Sequence, residues 1–210
     1  MEPRKLNMEH ILTDSEVRVL GALIEKEITT PDNYPLSLKA LTAACNQSSN
    51  RHPVVQYDEG DAGASADSLR EKGLVHLVDR GESRVSKYRH VLYEALNLGR
   101  PSIAVLCVLM LRGQQTVGEI RTRTDRLYDF SSLQEVEMTL NSLMAGELPL
   151  VVRLPRQAGQ KEVRYAHLLA GNVAAEAERG EEPELDRIAR LEIEVENLKK
   201  QFDQFRKQFE

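Results

Sequence analysis

Lys87-Tyr88-Arg89-His90-Val91-Leu92 is echoed later in the chain by Arg164-Tyr165-Ala166-His167-Leu168-Leu169. Both are apolar, β-prone runs. The first follows Leu74 to Val78 across a turn holding Gly81, Glu82 and Ser83. The second follows Leu150 to Leu154 across Pro155 to Gln160, so each is expected to be the return strand of a β-hairpin. A repeated unit bounds the architecture before any single element does.

Upstream of each hairpin the same three helical patterns occur in the same order. Val17, Val19, Leu20, Leu23 and Ile24 fall at helical spacing, as do Ile103, Val105, Leu106, Leu109 and Met110. A short second helix is expected after Ser37, with Leu38 and Leu41 inward. Its counterpart follows Thr116, where Glu119 completes a capping box around Val117 and Ile120. Third helices run into Asp67-Ser68-Leu69-Arg70 and Asn141-Ser142-Leu143-Met144. Three helices followed by a two-stranded ribbon is the winged-helix arrangement. The predicted fold class is therefore mainly α with small β-hairpins (α+β), built as two tandem winged-helix domains over residues 1–98 and 101–170. Between them Leu98-Gly99-Arg100-Pro101-Ser102 breaks one element, and Ser102 can cap the next.

Past Leu169 the composition shifts to Ala, Glu and Gly, and residues 171–184 read as a linker. Residues 185–210 then carry heptads. Ile188, Val195, Phe202 and Phe209 occupy one core position, and Leu191, Leu198 and Phe205 the other. Arg187 with Glu192 and Glu194 with Lys199 would pair with opposite sign in a parallel dimer, so a self-associating coiled-coil-like helix and a homodimer are expected. An amphipathic helix folded back on the body is the competing reading, since three phenylalanines are bulky for a two-stranded seam. No apolar run is long enough to cross a membrane, and Met-Glu-Pro-Arg-Lys-Leu lacks a signal-peptide core, which points to the cytoplasm. Cys45 and Cys107 fall on apolar helix faces and read as small buried thiols.

Leu12 to Glu27, with Thr30-Pro31-Asp32-Asn33-Tyr34-Pro35-Leu36-Ser37-Leu38 and Ala44-Cys45-Asn46-Gln47-Ser48-Ser49-Asn50-Arg51-His52-Pro53-Val54, resembles the YceH-like family of uncharacterised bacterial proteins. The likeness continues through Gly113-Gln114-Gln115-Thr116-Val117-Gly118-Glu119-Ile120-Arg121 and weakens in the tail. It implies a tandem winged-helix protein and leaves the biochemical role open. The chain departs from that family's pattern after Pro53, where Tyr57 to Asp67 holds two glycines and four carboxylates in place of regular apolar positions.

That departure bears on function. In a helix-turn-helix protein the third helix enters the major groove, beside phosphates that repel carboxylates. Asp58, Glu59, Asp61 and Asp67 suit this poorly, and there is no Lys or Arg between Ser131 and Gly146 in the second copy. The excess of acid sits mainly in residues 170–210, so any DNA contact must come from local basic patches. One candidate is the first hairpin with Arg80, Arg84, Lys87 and Arg89. The other joins Arg121, Arg123 and Arg126 to Arg153, Arg156, Lys161 and Arg164. Arg51, in a Ser- and Asn-rich turn, is read as structural by default and alternatively as a fork for phosphate or a partner carboxylate.

His10, His52, His76, His90 and His167 are scattered without metal-ligand spacing, and no phosphate loop or nucleophile elbow is present in the sequence. The chain is expected to be no enzyme, with no catalytic or metal-binding residues and no cofactor. Two readings stand. In the first, the protein is a DNA-binding transcriptional regulator whose wings contact the phosphate backbone of double-stranded DNA. In the second, it is a protein–protein interaction scaffold that does not bind DNA directly. Fold alone cannot choose between them.

Overall fold

Thr13 starts helix α1 (Asp14–Thr29) with a capping box: its hydroxyl accepts from Glu16 N while the Glu16 carboxylate accepts from Thr13 N. The computed structural model that shows this describes residues 11–78, 86–145, 148–156 and 162–171. The five apolar positions predicted to face inward on α1 are all buried. A 3-10 turn (Pro31–Asn33) leads to strand β1 (Leu36–Ser37) and then to α2 (Leu38–Cys45), capped as predicted by the Ser37 hydroxyl. Helix α3 (Glu59–Glu71) forms despite Gly60 and Gly63. Asp58 and Asp61 close a second reciprocal box at its start, and Ala62, Ser65, Ala66 and Leu69 bury one face. Two of the carboxylates that weigh against DNA contact thus have a local structural task. Strands β2 (Val75–Val78) and β3 (Lys87–His90) then form the first hairpin, and β1 adds to its other edge in the antiparallel order β1-β3-β2.

A one-turn helix α4 (Leu92–Leu96), not foreseen in the sequence, joins the halves. The next helix, α5 (Arg100–Arg112), is capped by Gly99 with Pro101 in its first turn, and not by Ser102. Proline fixes the helical φ and has no N–H to satisfy there, so it belongs inside the helix start. Then come α6 (Val117–Thr124) with the predicted Thr116–Glu119 box, α7 (Leu133–Met144), β4 (Val151–Arg153) and β5 (Tyr165–His167). The fold is mainly helical, with seven α-helices among the described residues and small antiparallel hairpins.

The repetition extends to individual bonds. Val75 pairs with His90 in the first hairpin and Val151 with His167 in the second. Leu74 N donates to Leu69 O, and Leu150 N donates to Leu143 O, both at 2.9 Å. The β1 contact Leu36–Tyr88 has its counterpart in an isolated bridge between Gln115 and Tyr165.

The halves share one buried core. Helix α1 lies so close to α5 that a Cβ on Gly21 would come within 2.9 Å of Leu111 Cδ2, and the Cys107 thiol reaches Gly21 O at 3.5 Å. Backbone bonds cross as well: His52 N donates to Leu111 O and Leu12 N to Leu169 O, both at 2.8 Å. The heptad residues Ile188, Leu191, Val195, Leu198, Phe202, Phe205 and Phe209 lie outside the described residues, as do residues 172–184 of the expected linker. Among the described residues no helix is long and apolar enough to cross a membrane.

Candidate functional site

Arg51 is an interior residue. Its side chain has no exposed surface, and its guanidinium meets the Glu25 carboxylate through both nitrogens of the fork, at 3.1 and 2.6 Å. The remaining donors reach Ala44 O, Asn50 O and Gln47 Oε1. All five N–H groups of the guanidinium therefore have acceptors inside the fold, leaving none for a phosphate. Of the two readings of Arg51, the geometry fits the structural one. The turn is further braced by Arg18, buried on α1, which donates to Cys45 O and Pro53 O. Nothing in the apolar spacing of α1 marks Arg18 for that position.

The other basic residues divide in the same way. Arg121 donates to Phe130 O at 3.3 Å and Ser131 O at 3.4 Å, closing the turn before α7. Arg123 and Arg164 converge on the Glu119 carboxylate at 3.4 and 3.0 Å. Arg89 pairs more loosely with Glu94 at 3.6 Å. Arg126, Arg153 and Arg156 are exposed, and Lys87 lies half-buried at the start of β3. Arg80, Arg84 and Lys161 lie outside the described residues. The fold thus uses several of the cations that charge counting offered to DNA.

The two third helices present different faces. On α3, Glu59, Asp61, Asp67, Arg70 and Glu71 are exposed, with Arg70 paired to Asp67 at 2.7 Å. On α7, Leu133 is 48% and Met138 72% exposed, flanked by exposed Gln134 and Glu137 and no cation. Glu135 turns back to cap the helix, accepting from Ser131 and Tyr128, which holds its carboxyl below the usual range.

A cleft of about 540 Å³ lies between the halves, where α1, α5 and α6 end. Lys26, Arg112, Arg123 and Arg126 line it over a floor that includes Cys107, Val108, Leu111 and Leu127. Arg112 donates to Asn50 Oδ1, and burial together with neighbouring Arg123 lowers its pKa. A groove of about 430 Å³ shares Lys26, Thr30 and Gln47 with this cleft and reaches Lys87. Sequence reasoning overlooked Lys26 and Arg112, because they are distant in the chain and converge only when α1 packs on α5.

The titratable groups with chemical potential are sequestered. Burial pushes the Cys45 thiol up to about 12 and the Cys107 thiol up as well, so both stay protonated and unreactive at neutral pH. His90 Nδ1 accepts from Leu92 N–H, which places its proton on Nε2, and that proton is donated to Glu27 Oε2 at 2.9 Å. His167 is held neutral by burial, with its pKa lowered to about 4. Among the described residues no group of His, Cys, Asp and Glu is arranged to hold a metal.

Residues 12–160 match a family model described as a protein of unknown function, DUF480. The chain is 54% identical over 210 residues to a UPF0502 protein of Solibacter usitatus, an alignment covering 97% of this chain and 100% of the relative. A UPF0502 protein of Pelobacter propionicus is 51% identical over 220 residues with the same coverage. One from Geobacter sulfurreducens is 46% identical over 221 residues, again covering 97% and 100% of the two chains.

Proposed function

This chain belongs to the DUF480 family of bacterial proteins, and from that premise we propose that it is a non-enzymatic tandem winged-helix protein whose third helices engage other proteins. Helices α1 to α3 with hairpin β2–β3 form the first winged helix, and α5 to α7 with β4–β5 the second. Support comes from the shared element order and from the matched register of the two hairpins. The observation that carries the binding reading is the open face of α7. Leu133 and Met138 stand exposed there beside Glu137 with no cation to meet a phosphate. A major-groove helix needs donors and positive charge, which this face lacks, whereas a mixed face of polar and apolar side chains suits a protein contact. The acidic face of α3 argues in the same direction.

The reading of a transcriptional regulator has its own support in half-buried Lys87 and exposed Arg153, one on each hairpin, which could follow a phosphate backbone without reading bases. Salt-titrated binding to mixed genomic duplex separates the two. The interaction reading expects no measurable binding at low salt, and affinity that falls steeply as salt rises would establish the regulator instead. A photo-crosslinker at Met138 should yield discrete protein adducts in cells, and their loss on Glu137→Lys would tie them to this face. Pairing of two chains through Ile188 to Phe209 belongs to the same proposal. Truncation after Gly180 should convert a dimer to a monomer by light scattering, and a surviving dimer would move the interface to the bodies.

A further inference from the structure

We propose that the cleft between the halves is a binding site for a small organic phosphate of mononucleotide size, held by Lys26, Arg112 and Arg126 against an apolar floor. The volume, about 540 Å³, lies within the range of small-molecule sites. Its composition is two-sided: cations and Ser49, Gln47 and Asn50 at the rim, Val108, Leu111 and Leu127 below. A ring or other apolar body on the floor with an oxyanion at the rim satisfies both.

The electrostatics favour an anion even after the local carboxylates are counted. Glu25 is neutralised from behind by Arg51, and Glu119 by Arg123 and Arg164. Lys26 lies 3.9 Å from Glu25 and shares that carboxylate with Arg51, so Asp125 is the one described lining carboxylate without a cation partner, against Arg112 and Arg126. Among the described residues neither Arg112 nor Arg126 forms an ion pair.

The simplest competing account is that these cations serve the C-terminal ends of α1 and α5, where basic side chains compensate exposed carbonyls. Four carbonyls near those ends are already covered. Lys26 O accepts from the Thr30 N–H and hydroxyl, and Glu25 O from the Thr29 hydroxyl. Leu111 O accepts from His52 N, and Arg112 O from the Gln115 side chain. The guanidinium of Arg112 reaches Asn50 Oδ1 and lines the cleft. Because Lys26 belongs to the first half and Arg112 and Arg126 to the second, an oxyanion bound here bridges α1 to α5 and α6.

Calorimetric titration of the full chain at low salt tests this with pyrophosphate, adenosine 5′-monophosphate, adenosine and a short mixed-sequence duplex. The two free anions should bind saturably, compete with each other and raise the melting temperature, and adenosine should not bind. Arg126→Glu, at an exposed position, keeps the fold and should weaken the monophosphate about tenfold or more, the value of one charge-assisted hydrogen bond. Arg112→Gln should do the same with an unchanged circular dichroism spectrum. Absence of saturable anion binding, binding undiminished in Arg126→Glu, or adenosine binding as well as its monophosphate would overturn the proposal. Duplex binding abolished by these variants without monophosphate binding would assign the cleft to nucleic-acid phosphate and overturn it equally. The α7 reading is tested at Met138 and Glu137, so either proposal can fail alone.

Discussion

Replacing Arg51 by Met removes one half of the buried pair with Glu25 while keeping most of the side-chain volume. Three losses follow. The Glu25 carboxylate loses two charge-assisted contacts, Ala44 O loses two donors, and Gln47 Oε1 and Asn50 O lose one each. Breaking a buried pair from one side costs about 3–5 kcal/mol. Glu25 keeps 11% of its side-chain surface exposed and can recover some hydration, so the lower end, about 3 kcal/mol, is expected. For a chain of this length that corresponds to a fall in Tm of roughly 6–12 °C. Urea unfolding followed by circular dichroism should show a lower midpoint at unchanged slope. Adding Glu25→Leu to Arg51→Met should restore most of the loss, because an apolar pair of similar volume replaces a buried ion pair with little penalty. A single variant that loses less than about 1 kcal/mol, or a double variant as unstable as the single, would refute the interior role given to Arg51.

Gly21→Val should destabilise by about 1–3 kcal/mol in thermal denaturation, because the new methyls meet Leu111 and Met110 on α5. A melting temperature equal to that of the parent would contradict the close approach of α1 and α5. At Glu16, burial works to raise the pKa, but Lys72, Ser68 and Thr13 hydrogen-bond the carboxylate and hold it below the ordinary value. A depressed carboxyl contributes stability above its unfolded pKa and loses it as pH falls through the folded one. Lys72→Met should therefore cost about 2 kcal/mol at neutral pH, with the gap to the parent closing in acid; a gap independent of pH would discount the pair. His167, lowered to about 4 by burial, is stabilising when neutral above its ordinary pKa of 6.5, and that contribution fades as pH drops from there toward 4. Its ring signals in a proton NMR titration should stay those of neutral imidazole through pH 6, and an ordinary midpoint would show the ring to be open to water.

Hairpins, helices and their repeat were readable in the sequence because they depend on local periodicity and on caps that act over three or four residues. Ser37 and the Thr116–Glu119 box sit where their side chains imply, and both return strands pair in matching register. Glu16 was readable in principle as a box partner of Thr13, since the spacing is the same as at Thr116. Ser102 misled because a serine two residues into a helix looks like a cap unless the preference of proline for the first turn is weighed against it. The candidate site was less legible. Charge counting treats every arginine as available, whereas Arg51, Arg121, Arg123 and Arg164 are each engaged within the fold.

By itself the sequence determined a repeated helix–helix–helix–hairpin order, the inward faces of its helices, the acidic character of α3 and the lack of positive charge on α7. Those properties follow from side chains a few residues apart. Tertiary structure alone decided that Gly21 lets α1 sit against α5, that Arg51 faces Glu25 across 26 positions of chain, and that Lys26 and Arg112 share a cleft. Such pairings arise only when two amphipathic helices exclude water between them, and nothing in local spacing encodes which distant charge will be brought to the edge of that contact.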